Sequence, residues 1–212
     1  MIVLGITGGT GAGKTSALRV LEKLGASLID CDALYYEMLI PGGALYAAIG
    51  DAFGSDVFDA EGQLDRQKLG NRVFGNRKEL ARLDQIIFHH LCGEMDRRIA
   101  AECAEGRRCV AVDGINIIQA RQAGYFKCDC MVGVVAPEEV RLRRIMQRDG
   151  ISEEYAQKRI DAQKPNSFYY DYCDAVLENV FENQKLFETS VEVFFEDLLR
   201  KCEKGERTWE RN

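Results

Sequence analysis

The chain lacks the marks of a membrane, nucleic-acid or metal-cluster protein. In 212 residues no apolar run approaches the roughly 20 that a bilayer span requires. Positive charge is not in excess: 28 Lys and Arg stand against 34 Asp and Glu, a net charge of −6. A broad nucleic-acid surface needs clustered cations, so nucleic acid is not an expected partner. Apolar sequence begins at Ile2, and the expectation is a cytoplasmic chain without a secretory signal. Eight cysteines are present, but none forms a C-x-x-C pair, and Cys128-Asp129-Cys130 stands alone. Most lie in apolar stretches, where a free cysteine packs as a small hydrophobe. The two histidines, His89 and His90, are adjacent. On a helix they would point about 100° apart and chelate poorly. There are three prolines, Pro41, Pro137 and Pro165, each at a break between elements, and there is no repeat or low-complexity tract. Nothing in the chain specifies an oligomeric state.

What is present is concentrated in Gly8-Gly9-Thr10-Gly11-Ala12-Gly13-Lys14-Thr15, which matches G-x-x-x-x-G-K-[ST] without substitution. Ile2 to Ile6 before it is short, apolar and rich in β-branched residues. Ser16 to Leu24 after it has apolar residues at helical spacing. A loop between a buried strand and a helix N-terminus is the context such a motif needs. Glycines let the backbone close around a phosphate, the loop amides form a concave anion site, and the helix adds unpaired N–H groups. Lys14 can reach the β- and γ-phosphates, and the Thr15 hydroxyl can ligate Mg²⁺. The stretch Gly9, Thr10, Gly11, Ala12, Gly13, Lys14, Thr15 and Ser16 is therefore expected to bind ATP with Mg²⁺.

The remaining chain alternates strands and helices, as a doubly wound α/β sheet does. Ala26 to Asp30 reads as a second strand ending in Asp30-Cys31-Asp32. In such sheets ligands sit at the carboxyl ends of strands, so one aspartate would face the γ-phosphate. Asp32 is the better candidate; the alternative is that both cap the next helix. Helices follow, from Ala44 to Phe53, from Leu64 onward, and from Arg77 to Glu105 with Leu80, Leu83, Ile86, Ile87, Leu91, Met95 and Ile99 on one stripe. This far exceeds a minimal crossover of about a dozen residues. It reads as a helical acceptor-binding insertion over about 60–105. Arg107 to Asp113 reads as a third strand. Asp113 there could hold Mg²⁺ or its water, or simply cap the next helix. Cys130 to Val135 is a buried fourth strand, and Pro137 opens a helix with Arg144 and Arg148 four apart on one face. These arginines suit a lid, over about 140–170, that stabilises charge on a transferring phosphoryl group, although Glu138 and Glu139 could make this an ordinary solvated face. Ser152 caps a further helix running to about Gln163, which Lys164-Pro165-Asn166 ends. Cys173 to Asn179 reads as a fifth strand with an amide at its end. Asn183 to Cys202 is a closing amphipathic helix burying Leu186, Val191, Phe194, Phe195 and Leu198. Glu203 to Asn212 is polar and expected to fray.

Several of these segments together resemble the dephospho-coenzyme A kinase family. They are Thr7-Gly8-Gly9, Leu24-Gly25, Ile29-Asp30-Cys31-Asp32, Pro41-Gly42, Leu64-Asp65-Arg66 with Leu69 and Phe74, Arg144-Ile145-Met146-Gln147-Arg148-Asp149, Arg159 with Gln163, and Asp174 to Asn179. The resemblance runs from residue 1 to about 200 in order. It implies a single P-loop kinase domain with a five-stranded parallel sheet, and Mg²⁺-dependent transfer of the ATP γ-phosphate to the ribose 3′-hydroxyl of dephospho-coenzyme A. It implies catalytic roles for Asp32, Lys14 and Arg144, nucleotide contacts from Arg148 and Asn179, acceptor contacts from Thr7, Asp32, Arg66 and His89, and metal contacts from Thr15 and Asp113. The family's frequent His-Pro is Phe88-His89 here, and its Pro-Leu-Leu-Phe-Glu is Ile115-Asn116-Ile117-Ile118-Gln119. Both departures fall on the acceptor side.

Two other readings share the phosphate loop. One is a kinase for a nucleoside, nucleotide or shikimate-like acceptor. The other is a nucleotide-dependent switch or binding protein. Against the switch, the chain has no Asn-Lys-x-Asp signature, and its helical insertion is long for a switch loop.

Overall fold

Strand β1 (Ile2–Gly8) is apolar on both faces because helices cover both sides of the sheet it centres. A computed structural model of the chain describes residues 1–181 and 183–206. The sheet has five strands in the order β2-β3-β1-β4-β5, with β2 Ser27–Asp30, β3 Cys109–Asp113, β4 Cys130–Val135 and β5 Ala175–Glu178. β1 pairs in parallel with β3 on one side and β4 on the other, and β4 pairs in parallel with β5. The chain steps out from β1 to β2, returns through β3, and crosses to β4. That reversal beside β1 is where doubly wound sheets leave a crevice at their carboxyl edge.

Alternation along the strands assigns the two faces. Ile2, Leu4, Ile6, Cys109, Ala111, Cys130, Val132 and Val134 share a core with α1 (Lys14–Lys23) and α10 (Gln184–Glu203). From α10 this core takes Phe187, Val191, Phe195 and Leu198. Each such side chain contributes about 1.5–3 kcal/mol when fully buried. Leu186, expected in that set, is instead 59% exposed, and Phe187 takes its place. Val191, Phe195 and Leu198 are buried as expected, and only the first member of the stripe changes, since 187, 191, 195 and 198 are the positions that turn toward the sheet. Phe194 packs at its margin. On the other face Gly5 has no room for a Cβ, which would fall 2.7 Å from Met131 Sδ, and Gly133 approaches Tyr169 almost as closely. Tyr169 belongs to α9 (Asn166–Tyr172), a helix the sequence reading leaves out because Pro165 there marks an ending. Pro165 in fact stands at its N-cap, where a missing N–H costs nothing.

Between these elements lie α2 (Cys31–Met38), α3 (Ala44–Phe53), α4 (Arg66–Val73), α5 (Arg77–Ala104), α6 (Ile117–Gln122), α7 (Glu138–Asp149) and α8 (Glu153–Asp161). Met1–Ile29 and Ala101–Asn212 form one compact unit, and Asp30–Ala100 forms a second. This second unit opens at Asp30 and contains most of the segment, about 60–105, read from the sequence as an acceptor-binding insertion. Its interior includes Leu34, Met38, Leu45, Ile49, Phe53, Leu69, Val73, Leu83 and Met95. Residues 207–212 of the polar tail expected to fray lie outside the described residues; α10 itself continues to Glu203.

None of the eight cysteines is in a disulfide, and four of them, Cys92, Cys109, Cys130 and Cys173, are buried. Burial pushes the Cys92 thiol up to about 11 and those of Cys109 and Cys173 up to about 12. They are neutral, unreactive packing groups. No described helix is long and apolar enough to cross a membrane.

One polar tie joins three parts of the sheet. Asp174 Oδ2 accepts from Arg121 Nη1 of α6 and from the Met131 amide of β4, each at 2.7 Å. Asp174→Ala removes a partly buried acceptor with charged and backbone donors. It is expected to cost about 2 kcal/mol, read as a fall in Tm of about 4–8 °C for a chain of this size by differential scanning calorimetry.

Candidate active site

The phosphate loop leaves β1 at Gly8 and enters α1 at Lys14. Gly8 passes so close to β4 that a Cβ would lie 2.4 Å from the Val134 carbonyl oxygen. Gly11 and Gly13 have φ of +76° and +105°, the left-handed region that other residues rarely adopt. A Cβ on Gly13 would also fall 2.3 Å from Asn179 Nδ2. The motif's glycines are therefore required by backbone conformation and by close approach together.

Register brings the other groups to this edge. Ile6 pairs with Asp113, so the end of β3 lies beside the root of the loop. There Lys14 Nζ donates to Asp113 Oδ1 in an ion pair. Asn179 follows β5, and its amide N–H donates to the Val135 carbonyl at 2.7 Å. Its side chain is buried, donating to Ala12 O at 2.9 Å and accepting from Arg144 Nη2 at 3.1 Å. Arg144 also donates to Gly11 O at 3.2 Å and to Phe181 O at 2.8 Å. Burial lowers the pKa of Arg144, and the neighbouring Arg143 lowers it further. Arg148 Nη2 reaches Thr10 Oγ1 at 3.4 Å, and its Nε pairs with Asp149 at 2.7 Å. Arg159 Nη1 reaches the same carboxylate at 2.5 Å. Together Arg148, first, and Arg159 hold the Asp149 carboxyl down at about 2.

These residues enclose a cavity of about 790 Å³, within the range of small-molecule sites. Its lining includes Gly9, Thr10, Gly11, Gly13, Lys14, Thr15, Ser16, Arg144, Arg148 and Asn179, all expected from the sequence. Among the described residues Lys14, Arg19, Arg144, Arg148 and Arg159 line it and no carboxylate does, in a chain of net charge −6. Such a lining suits a polyanion such as a nucleoside triphosphate. Ala12 is buried in the core and presents only its backbone. Thr7, expected to touch the acceptor, is 1% exposed within β1 and does not line the cavity. Strand alternation turns it into the sheet. Arg19, Gln184 and Phe187 line the cavity without having been singled out. Arg141 was also missed as a partner of the loop, although 141, 144 and 148 follow the i, i+3, i+7 spacing of one helix face.

In the second unit, Asp30 takes the capping role. Its Oδ1 accepts from the amides of Asp32 and Ala33 at 2.9 and 3.0 Å. Asp32 lies in the first turn of α2, and its carboxylate bonds to no described residue. Tyr36 lies one turn along from it. Arg66 stacks on the Tyr36 ring at 4.9 Å. His89 is exposed on α5 and meets His90 edge-on at 5.4 Å.

A family model described as dephospho-CoA kinase matches residues 2–184. The chain belongs to the dephospho-CoA kinase family. Relatives bearing that name include one from Carboxydothermus hydrogenoformans, 34% identical over 84% of this chain and 85% of its own. Another, from Thermobifida fusca, is 33% identical over 95% and 98%. A crystal structure of a Thermus thermophilus protein superposes with a TM-score of 0.68 at 25% identity, covering 94% of this chain and 97% of its own. A dephospho-CoA kinase from Campylobacter jejuni shares the fold, with a TM-score of 0.55 at 20% identity over 92% and 96%. Membership makes the chain a P-loop kinase and settles the choice against a nucleotide switch.

Two outcomes follow from this geometry. Gly13→Ala must clear both the left-handed φ and the Asn179 amide, so it is expected to abolish nucleotide binding in a calorimetric titration with ATP. Asp149 has a depressed carboxyl, so the stability its arginine contacts supply is present above about pH 4 and is lost as pH falls through about 2. A carboxyl-detected NMR titration is expected to place its midpoint near that value.

Proposed function

We propose that the chain transfers the γ-phosphoryl group of ATP to the ribose 3′-hydroxyl of dephospho-coenzyme A. The observation that carries this is the family match over residues 2–184, laid on a glycine loop whose cavity presents five cations and, among the described residues, no carboxylate. In the reaction the acceptor oxygen forms a bond to the γ-phosphorus, and the bond to the bridging oxygen of ADP breaks. The acceptor's proton passes to a base. Asp32 is assigned that role, because its carboxylate is committed to no cap or ion pair among the described residues, whereas Asp30 is committed to the helix terminus. Lys14 and the loop amides hold the β- and γ-phosphates, and Arg144 and Arg148 balance the charge that spreads over the equatorial oxygens. Arg66 and His89 are assigned to the acceptor.

Magnesium fits the residues present. Thr15 is exposed in the lining of the cavity, and Asp113, outside that lining, offers a carboxylate beside Lys14; both are hard oxygen donors. No group of three or more His, Cys, Asp or Glu among the described residues could hold a metal alone. That is the donor set of an ion carried mainly by substrate phosphates, which neutralises their charge when bound. Asp113 meets Lys14 here, so the same carboxylate serves the lysine and would serve the ion.

In a coupled ADP-release assay with Mg-ATP, dephospho-coenzyme A is expected to turn over and shikimate or nucleosides are not. Turnover of those acceptors alone would overturn the acceptor assignment. Asp32→Asn is expected to lower kcat by about 10²–10⁴-fold with little change in ATP affinity, since a base acts on the nucleophile. A near-normal kcat would remove Asp32 from that role.

A further inference from the structure

The loop's carbonyls are held as deliberately as its amides. Three in succession point onto side-chain donors: Thr10 O onto Arg141 Nε at 2.9 Å, Gly11 O onto Arg144 Nη1 at 3.2 Å, and Ala12 O onto Asn179 Nδ2 at 2.9 Å. In a trans peptide the C=O and the following N–H point in opposite directions. Turning Thr10 O outward therefore turns the Gly11 N–H inward, and turning Ala12 O outward does the same for Gly13. Neither of these amides donates to a described residue, whereas the Ala12 amide between them closes a turn onto Gly9 O at 3.1 Å.

Arg144, Gln163 and Asn179 line the cavity, but Arg141 does not. It is 3% exposed and sits behind the loop. Its Nη2 donates to Gln163 Oε1 at 2.7 Å, and the same oxygen accepts from the Thr10 amide at 2.8 Å. Arg141 and Gln163 thus close a ring around Thr10 in which its N–H and its C=O are both engaged. Gly9 makes room for this: a Cβ there would fall 2.7 Å from Arg141 Nη2. The two residues come from either end of the α7–α8 pair, whose own core is Ile145, Ala156 and Ile160. Both of these acceptors of Arg141, a backbone carbonyl and a side-chain amide oxygen, are neutral, so the two bonds commit the buried guanidinium to the loop and its support instead of to a carboxylate.

We propose that Arg141, braced by Gln163, is a positioning residue for the triphosphate: held behind the loop and out of the cavity, it clamps Thr10 and so aims the Gly11 amide into the phosphate cradle without touching the nucleotide. This rests on the reading of the cavity as the ATP site. It assigns to the α7–α8 pair a part in building the donor site, beyond the contacts its arginines make from the cavity side.

The test is calorimetric titration of ATP and of adenosine into the full chain and into Arg141→Met and Gln163→Ala, with steady-state kinetics alongside. Each variant is expected to bind ATP about tenfold or more weakly, the loss of about one oriented hydrogen bond. Adenosine affinity is expected to stay within about twofold, since the ring engages the phosphate loop alone. KM for ATP should rise in step, while KM for dephospho-coenzyme A stays put. The double variant should be no weaker than the weaker single one, because the pair acts as a unit. A variant that loses thermal stability but keeps the wild-type ratio of ATP to adenosine affinity would overturn the proposal. If Arg141→Met fails to fold, Arg141→Lys decides, since it keeps the charge without the paired Nε and Nη2 donors and, unlike Gln163, lies outside the cavity; unchanged ATP affinity there is the overturning result. Failure of the wild-type chain to bind ATP would instead remove the donor-site reading itself.

Discussion

Everything at the carboxyl edge of the sheet depends on holding a glycine loop open with its amides facing inward. Free of its surroundings, a segment with Gly11 and Gly13 at positive φ would be among the most flexible in the chain, since glycine loses the most entropy on ordering. What prevents that is a set of side chains from other elements that take up its polar groups. Arg141, Arg144 and Asn179 take three successive carbonyls, and Gln163 takes the Thr10 amide. The concave anion site is therefore built from outside the motif as much as from within it.

The sheet order makes this economical. β1 is central, so β3 and β4 flank the root of the loop, and β5 delivers Asn179 one strand further along. Lys14 meets Asp113 because Ile6 and Asp113 are register partners. α7 leaves the end of β4 directly, through Pro137, and its first turns lie against the loop. Five cations converge on the cavity while the chain as a whole is acidic. Net charge is therefore a poor guide to the ligand here, because the field that matters is local and partly desolvated.

The second unit is built on different physics. It is a set of helices joined by glycine and proline breaks, with polar caps from Asp30 and Asp65. Asp30 and Asp32 look alike in the sequence, yet only one can occupy the N-cap, and the geometry of a helix start gives it to Asp30. That leaves Asp32 with an uncommitted carboxylate in the same turn. Burial keeps Cys92, Cys109, Cys130 and Cys173 as thiols.

The local rules were legible from the residues alone. The phosphate loop, the strands of the sheet, the Ser152 cap and the fourth strand at Cys130–Val135 each follow from turn chemistry, periodicity or capping within a short window. Other features depended on partners distant in sequence. Nothing near Arg141 reveals that it will meet Thr10, 131 residues away, rather than a solvated glutamate. Thr7 looked like part of the motif until the sheet buried it, and Leu186 and Phe187 exchanged places because helix rotation is set by the surface it packs on. α9 was hidden because a proline serves equally to end one helix or begin the next. By itself the sequence determined that a phosphate-type loop would form at Gly8 to Thr15, since that needs only local backbone freedom and one helix terminus. Tertiary structure alone decided which side chains hold the grip open, since carbonyls facing outward must be met by donors from other elements.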